Sequence, residues 1–148
     1  MGGNMLLNVG PDESGIIPAR QVEILDTLGE WVRKHEEAVY GTIRGLPHGY
    51  TYNSTSYNRD KDIIYLYLSH VPKEGTYVKG IRNKVKNITI LGDGTECPSR
   101  CIGGAPWIDV PGTLGIDIPK DHLDPYVTVV KIELDGPLEL FEGKSVEF

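Results

Sequence analysis

The chain changes its hydrophobic period once. Residues 5–9, MLLNV, form a nearly unbroken apolar run, and the Gly10-Pro11 break and the acidic turn at Asp12 and Glu13 close it. Such a run reads as a strand buried on both faces. From Pro18, which suits a first helical turn because its missing N–H is not needed there, the period becomes helical. Val22, Leu25, Leu28 and Val32 fall on one stripe, and Ile24, Leu28, Trp31 and His35 on an adjacent one. Together they predict a wide apolar face built to pack on a sheet or barrel. Arg33 and Lys34 suit the last turns, and Gly41 is the expected stop.

From about Thr42 the period switches to two. Ile64, Leu66 and Leu68 share one face of a predicted strand, with Ile63, Tyr65 and Tyr67 on the other. Ile88 pairs with Ile90, Ile108 with Val110, Leu114 with Ile116 and Ile118, and Val130 with Ile132 and Leu134. Turn residues separate these runs, at 72–75, 92–94, 103–104, 111–112, 119–125 and 136–137. The expected fold is mainly β: an antiparallel β-sandwich of about seven or eight strands, preceded by one strand and one amphipathic helix. The expected division is 1–42 for the strand and helix and 43–148 for the sandwich. A strand followed by an amphipathic helix is the repeating unit of a (β/α)₈ barrel or another parallel α/β sheet, and one unit alone cannot bury its strand.

With 148 residues, 39% of them hydrophobic, the chain can bury one substantial core. No apolar run reaches the roughly 20 residues that span a bilayer, so no membrane partner is expected. No secretory signal follows Met1, and any export signal is expected outside this chain. The net charge of −6 is spread out, and the basic stretch KGIRNKVK has no interleaved aromatics, which argues against nucleic acid. Cys97 and Cys101 lie in a Gly-rich region read as a loop, either as two free thiols or as a short-loop disulfide. His35, His48, His70 and His122 are scattered, so neither a metal site nor a cofactor is expected. Two sequons, at Asn53 and Asn87, carry meaning only in a eukaryotic secretory route.

The stretches GGNMLLNVGPDESGIIP and LGEWVRKHEEAVYGT give the front of the chain a closer likeness. They resemble the end of the catalytic barrel in the α-L-fucosidases of glycoside hydrolase family twenty-nine. Matching positions are Gly3, Asn4, 6–11, Gly15, Ile17, Pro18, 29–32 and 37–42. More loosely, DIIYLYL, VKGIRNKVKNITILGDG and LDPYVTVVKIELDGPL resemble the family's C-terminal β-sandwich.

The resemblance implies a retaining exo-glycosidase that releases terminal α-L-fucose, with two carboxyl groups about 5–5.5 Å apart as nucleophile and acid/base. In the family those groups belong to earlier barrel strands, and no position of this chain corresponds to them. The chain is therefore expected to be a non-catalytic C-terminal part, inactive alone, with the catalytic barrel as its partner and a fucosylated glycan as the whole enzyme's substrate. The whole enzyme is expected to be secreted, periplasmic or lysosomal. Asn8 is the candidate to line the floor of the whole enzyme's active site, against a structural asparagine bonding neighbouring backbone. Asp12 and Glu13 read as a solvated lead-in to the helix. The rival expectation is a carbohydrate-binding sandwich, with Tyr52 and Trp107 as the sugar contacts. The strand opened by Asn4 and closed by Val9, and the helix face from Val22 to Val32, are expected to pack on the sandwich or on a second copy of the chain.

Overall fold

A computed structural model describes residues 3–105, 107 and 109–142. Helix α1 spans Ala19–Lys34 and α2 Glu36–Val39. Among the described residues eight strands follow: β1 (Ile43–Arg44), β2 (Ser54–Tyr57), β3 (Ile63–Leu68), β4 (Thr76–Lys79), β5 (Val85–Ile90), β6 (Ser99–Ile102), β7 (Thr113–Ile116) and β8 (Thr128–Leu134). They form a five-stranded sheet, ordered β1-β2-β3-β8-β5, and a three-stranded sheet, ordered β4-β7-β6, every pair antiparallel. This is the mainly β, two-sheet sandwich that the period-two patterning predicts.

Register explains the core. Ile64 lies opposite Ile132 and Leu66 opposite Val130, while Ile132 and Val130 also face Ile88 and Ile90 across β5. Apolar side chains from three adjacent strands thus form one layer, closed from the other sheet by Val78 and Ile116. A second, smaller cluster of Tyr65, Val129 and Ala38 lies on the other face of β3 and β8, with Trp31, Ile63, Tyr67 and Leu91 around it. These two strands are buried on both sides because the helical segment covers their outer face. Tyr65 therefore packs beneath a helix, and burial next to Glu37 pushes its phenol up to about 12.

Four expectations need correction. Residues 4–9 form no strand: among the described residues no ladder partner lies beside them, and Met5, Leu6 and Leu7 stand 79%, 96% and 51% exposed. A strand is held by hydrogen bonds along its edges, and the apolar run cannot supply them itself. The helical segment is broken at His35, whose N–H reaches both the Trp31 and Val32 carbonyls and whose φ of −118° leaves the helix before α2 begins. The region containing Cys101 is strand β6, exposed throughout at the edge of the small sheet, where no buried face imposes alternation. Finally, Val110 makes only an isolated bridge to Ala105, while its expected strand partner Ile108 lies outside the described residues.

Candidate functional site

Among the described residues, two surfaces each combine an accessible cavity with exposed aromatic or apolar side chains. The first follows from the amphipathicity of α1. Its Trp31 end meets the sandwich: the Trp31 indole N–H donates to the Val127 carbonyl at 2.9 Å, and the Lys34 ammonium pairs with Asp124 at 2.9 Å. Towards its N-terminal end Val22 and Ile24 remain 40% and 52% exposed. Ile24, Leu28 and Trp31 face Tyr126 and Val127 across a groove of about 640 Å³.

His35 sits beneath this helix, 1% exposed, its ring 4.5 Å from that of Trp31. Nδ1 lies 2.8 Å from the Trp31 carbonyl, which can only accept, so Nδ1 carries the proton. Nε2 is then a buried acceptor without a partner among the described residues. The helical stripe had marked His35 as inward-facing; its hydrogen bonding depended on the break that follows it.

Asn8 is exposed within the unpaired segment. Asp12 organises the turn ahead of α1: its Oδ1 accepts from the Ser14 amide at 2.9 Å, the Ser14 hydroxyl at 2.6 Å and the Ile16 amide at 3.0 Å. The Ser14 hydroxyl and these amides hold its carboxyl below the ordinary range. That is the geometry of a helix lead-in, with Glu13 exposed beside it.

The second surface opens where the β1–β2 edge of the large sheet meets β4 of the small one. The chain from 50 to 53 is irregular and fastened along β4. The Lys79 amide donates to the Tyr50 carbonyl at 2.8 Å, and the Asn53 side-chain amide donates to the Thr76 hydroxyl at 2.6 Å. The Tyr50 hydroxyl is anchored 2.9 Å from the Phe141 carbonyl. Between these fixed points Tyr52 stands 90% exposed, edge-on to Tyr77 at 5.4 Å between ring centroids. The neighbouring Tyr52 phenol holds the Tyr77 hydroxyl above its ordinary value. The Lys79 ammonium lies 5.5 Å from the centre of the Tyr77 ring. The cleft encloses about 660 Å³, and His48 and Arg44 also line it. Trp107 is 84% exposed and does not line this cleft, so the two expected sugar contacts are not brought together there. Tyr77 is the aromatic that sequence reading missed, because its meeting with Tyr52 depends on the approach of two sheet edges.

The thiols are both free. Cys97 is in the core, where burial pushes it up to about 11, and Cys101 is exposed on β6. The side-chain amide of Asn53 is engaged by Thr51 and Thr76, and Asn87 lies within β5. His48 and His70 are exposed, whereas His122 Nδ1 lies 2.9 Å from Asp93 and 3.0 Å from the Thr95 hydroxyl.

A β-sandwich with a helix packed on one of its sheets is a fold that this chain shares with solved glycoside hydrolases. Residues 1–37 match the family model described as alpha-L-fucosidase. An alpha-L-fucosidase of Dictyostelium discoideum is 31% identical over 145 residues, covering 88% of this chain and 29% of that protein. Alpha-L-fucosidase isoenzyme 1 from Paenibacillus thiaminolyticus superposes with a TM-score of 0.74 at 27% identity, over 90% of this chain and 31% of the other. The same fold occurs in a GH29 alpha-L-fucosidase from Bacteroides thetaiotaomicron, solved as a trapped covalent intermediate, with a TM-score of 0.70 at 19% identity over 89% of this chain and 29% of that one. The chain belongs to the α-L-fucosidase family, glycoside hydrolase family 29, and corresponds to a C-terminal portion of it. It spans less than a third of these relatives' length.

Proposed function

We propose that this chain is the non-catalytic C-terminal part of a retaining α-L-fucosidase, 1–42 contributing the last βα unit of the catalytic barrel and 43–148 an accessory sandwich. One observation carries the reading. Met5, Leu6, Leu7, Ile16, Val22 and Ile24, all exposed apolar side chains, fall within the 1–37 stretch that matches the fucosidase family model. Apolar surface of this kind marks an interface, and a barrel would supply both the ladder partners for 4–9 and a cover for α1. Asn8 would then stand at the end of a barrel strand, facing the active-site floor.

The carboxylates support a non-catalytic role. Retaining hydrolysis needs two carboxyl groups facing one sugar carbon. Among the described grooves, the α1 groove has only Glu23, paired with Arg20 at 3.0 Å, and a groove beside β6 has only Asp109, paired with Arg82 at 2.7 Å. The purified chain incubated with 4-nitrophenyl α-L-fucoside should release no nitrophenol. Turnover abolished by a point substitution within the chain would overturn the proposal.

A further inference from the structure

The Tyr52 cleft lies away from the surface assigned to the barrel. Thr76 and Val78 of β4 point into the core, so Tyr77 and Lys79 point outward from the small sheet, whereas the helices cover the large one. Barrel docking on α1 would leave the cleft accessible.

Its chemistry is specific. Tyr52 presents an aromatic surface, and the hydrogen bonds to Tyr50 and Asn53 on either side hold its backbone in place. Little ordering therefore remains to be done on binding. Gly80, at φ +70°, permits the close approach of the Tyr50 ring that seats the segment. Around the aromatic pair lie the Asn53 side-chain oxygen, able to accept a hydrogen bond, and the His48 ring, able to donate and accept them. This pairing of an aromatic face with a polar rim suits a pyranose ring, which has apolar C–H faces and a rim of hydroxyls.

Charge narrows the ligand further. The protein carries a net charge of −6, yet Arg44 and Lys79 line the cleft and, among the described residues, no carboxylate does. Neither cation forms an ion pair among the described residues. A cationic cleft in an acidic protein focuses its field on an anionic ligand. We propose that this cleft binds acidic oligosaccharides, with Tyr52 as the stacking platform and Lys79 and Arg44 facing a sulfate or carboxylate substituent. The inference does not depend on the non-catalytic role: the cleft can fail to bind while the chain remains inactive on fucosides, and the reverse.

Calorimetry of the whole chain tests this with three probes: a sulfated fucose tetrasaccharide, the same oligosaccharide desulfated, and tetragalacturonic acid. At least one charged probe should bind, more weakly as salt is added, and the desulfated one should bind less well than any charged probe that binds. The two charged probes distinguish a sulfate from a carboxylate as the recognised group. Tyr52→Ala and Lys79→Met should each weaken binding about tenfold, the loss expected of an anchor side chain. Tyr52→Phe, which keeps the ring, and Trp107→Ala should bind like the parent. Tyr52 and Lys79 are exposed, so unchanged melting curves should verify that the variants are folded. The proposal fails if neither charged probe binds at millimolar concentration, if the desulfated probe binds as tightly as the charged probes that bind, or if Tyr52→Ala leaves binding unchanged.

Discussion

Replacing Trp31 with alanine should free α1 from the sandwich without unfolding the sandwich. Trp31 is half-buried, and a fully buried tryptophan removes about 150–250 Å² from water. At about 25 cal/mol per Å², half of that area is worth roughly 2–3 kcal/mol. The hydrogen bond to the Val127 carbonyl adds about 1 kcal/mol, making a total of about 3–4 kcal/mol. The remaining fastenings include the Lys34–Asp124 and Glu37–Lys131 pairs, each with one partner open to solvent, and ion pairs screened in this way contribute about 0–1 kcal/mol each. They should not hold the helix once the indole is gone. The core between the sheets, by contrast, is a separate cluster that Trp31 does not enter. Hydrogen exchange read by mass spectrometry should therefore show α1 losing protection by roughly two to three orders of magnitude, since about 1.4 kcal/mol is tenfold. Peptides from β3 and β8 should keep most of theirs. Unchanged exchange in α1, or loss of protection across β3 and β8 together with it, would refute this partition of the molecule.

The two thiols should separate on labelling: maleimide should modify Cys101 in the folded protein within minutes, and Cys97 only when denaturant opens the core, as peptide mass mapping would show. Equal labelling in the native state would place Cys97 outside the core. Asp124 should make stability depend on acid. Burial opposes its charge, but the Tyr126 amide and the Lys34 ammonium outweigh that and hold its carboxyl below the ordinary 3.8. Its folded value being the lower one, the stabilisation is present above 3.8 and is lost as pH falls through the folded value. The gap in Tm between the parent and Asp124→Asn should thus shrink between pH 7 and pH 3 in calorimetric scans, and a constant gap would contradict the assignment.

The legibility of this chain followed burial. Ile64, Leu66 and Leu68, like Val130, Ile132 and Leu134, alternate because one face meets the core, and the structure pairs Ile64 with Ile132 and Leu66 with Val130 across β3 and β8. The stripe of Ile24, Leu28, Trp31 and His35 was equally plain, and its far end is where the helix docks. Strand β6 left no such mark, since Ser99, Arg100, Cys101 and Ile102 are all exposed at a sheet edge. MLLNV shows the opposite failure: its apolar pattern is that of a central strand, but strand formation requires partners outside the pattern itself. Tyr52 was legible as an exposed aromatic; its pairing with Tyr77 was not, because that contact joins two edges brought together only by the whole sandwich.

The central claim is that this chain works as part of a longer α-L-fucosidase, and the protein as it occurs in its source cells tests that most directly. An antibody raised against the sandwich should capture a species several times larger than 16.4 kDa, and the captured material should hydrolyse 4-nitrophenyl α-L-fucoside. Capture of a 16.4 kDa species alone, or of a larger one without that activity, would contradict the account.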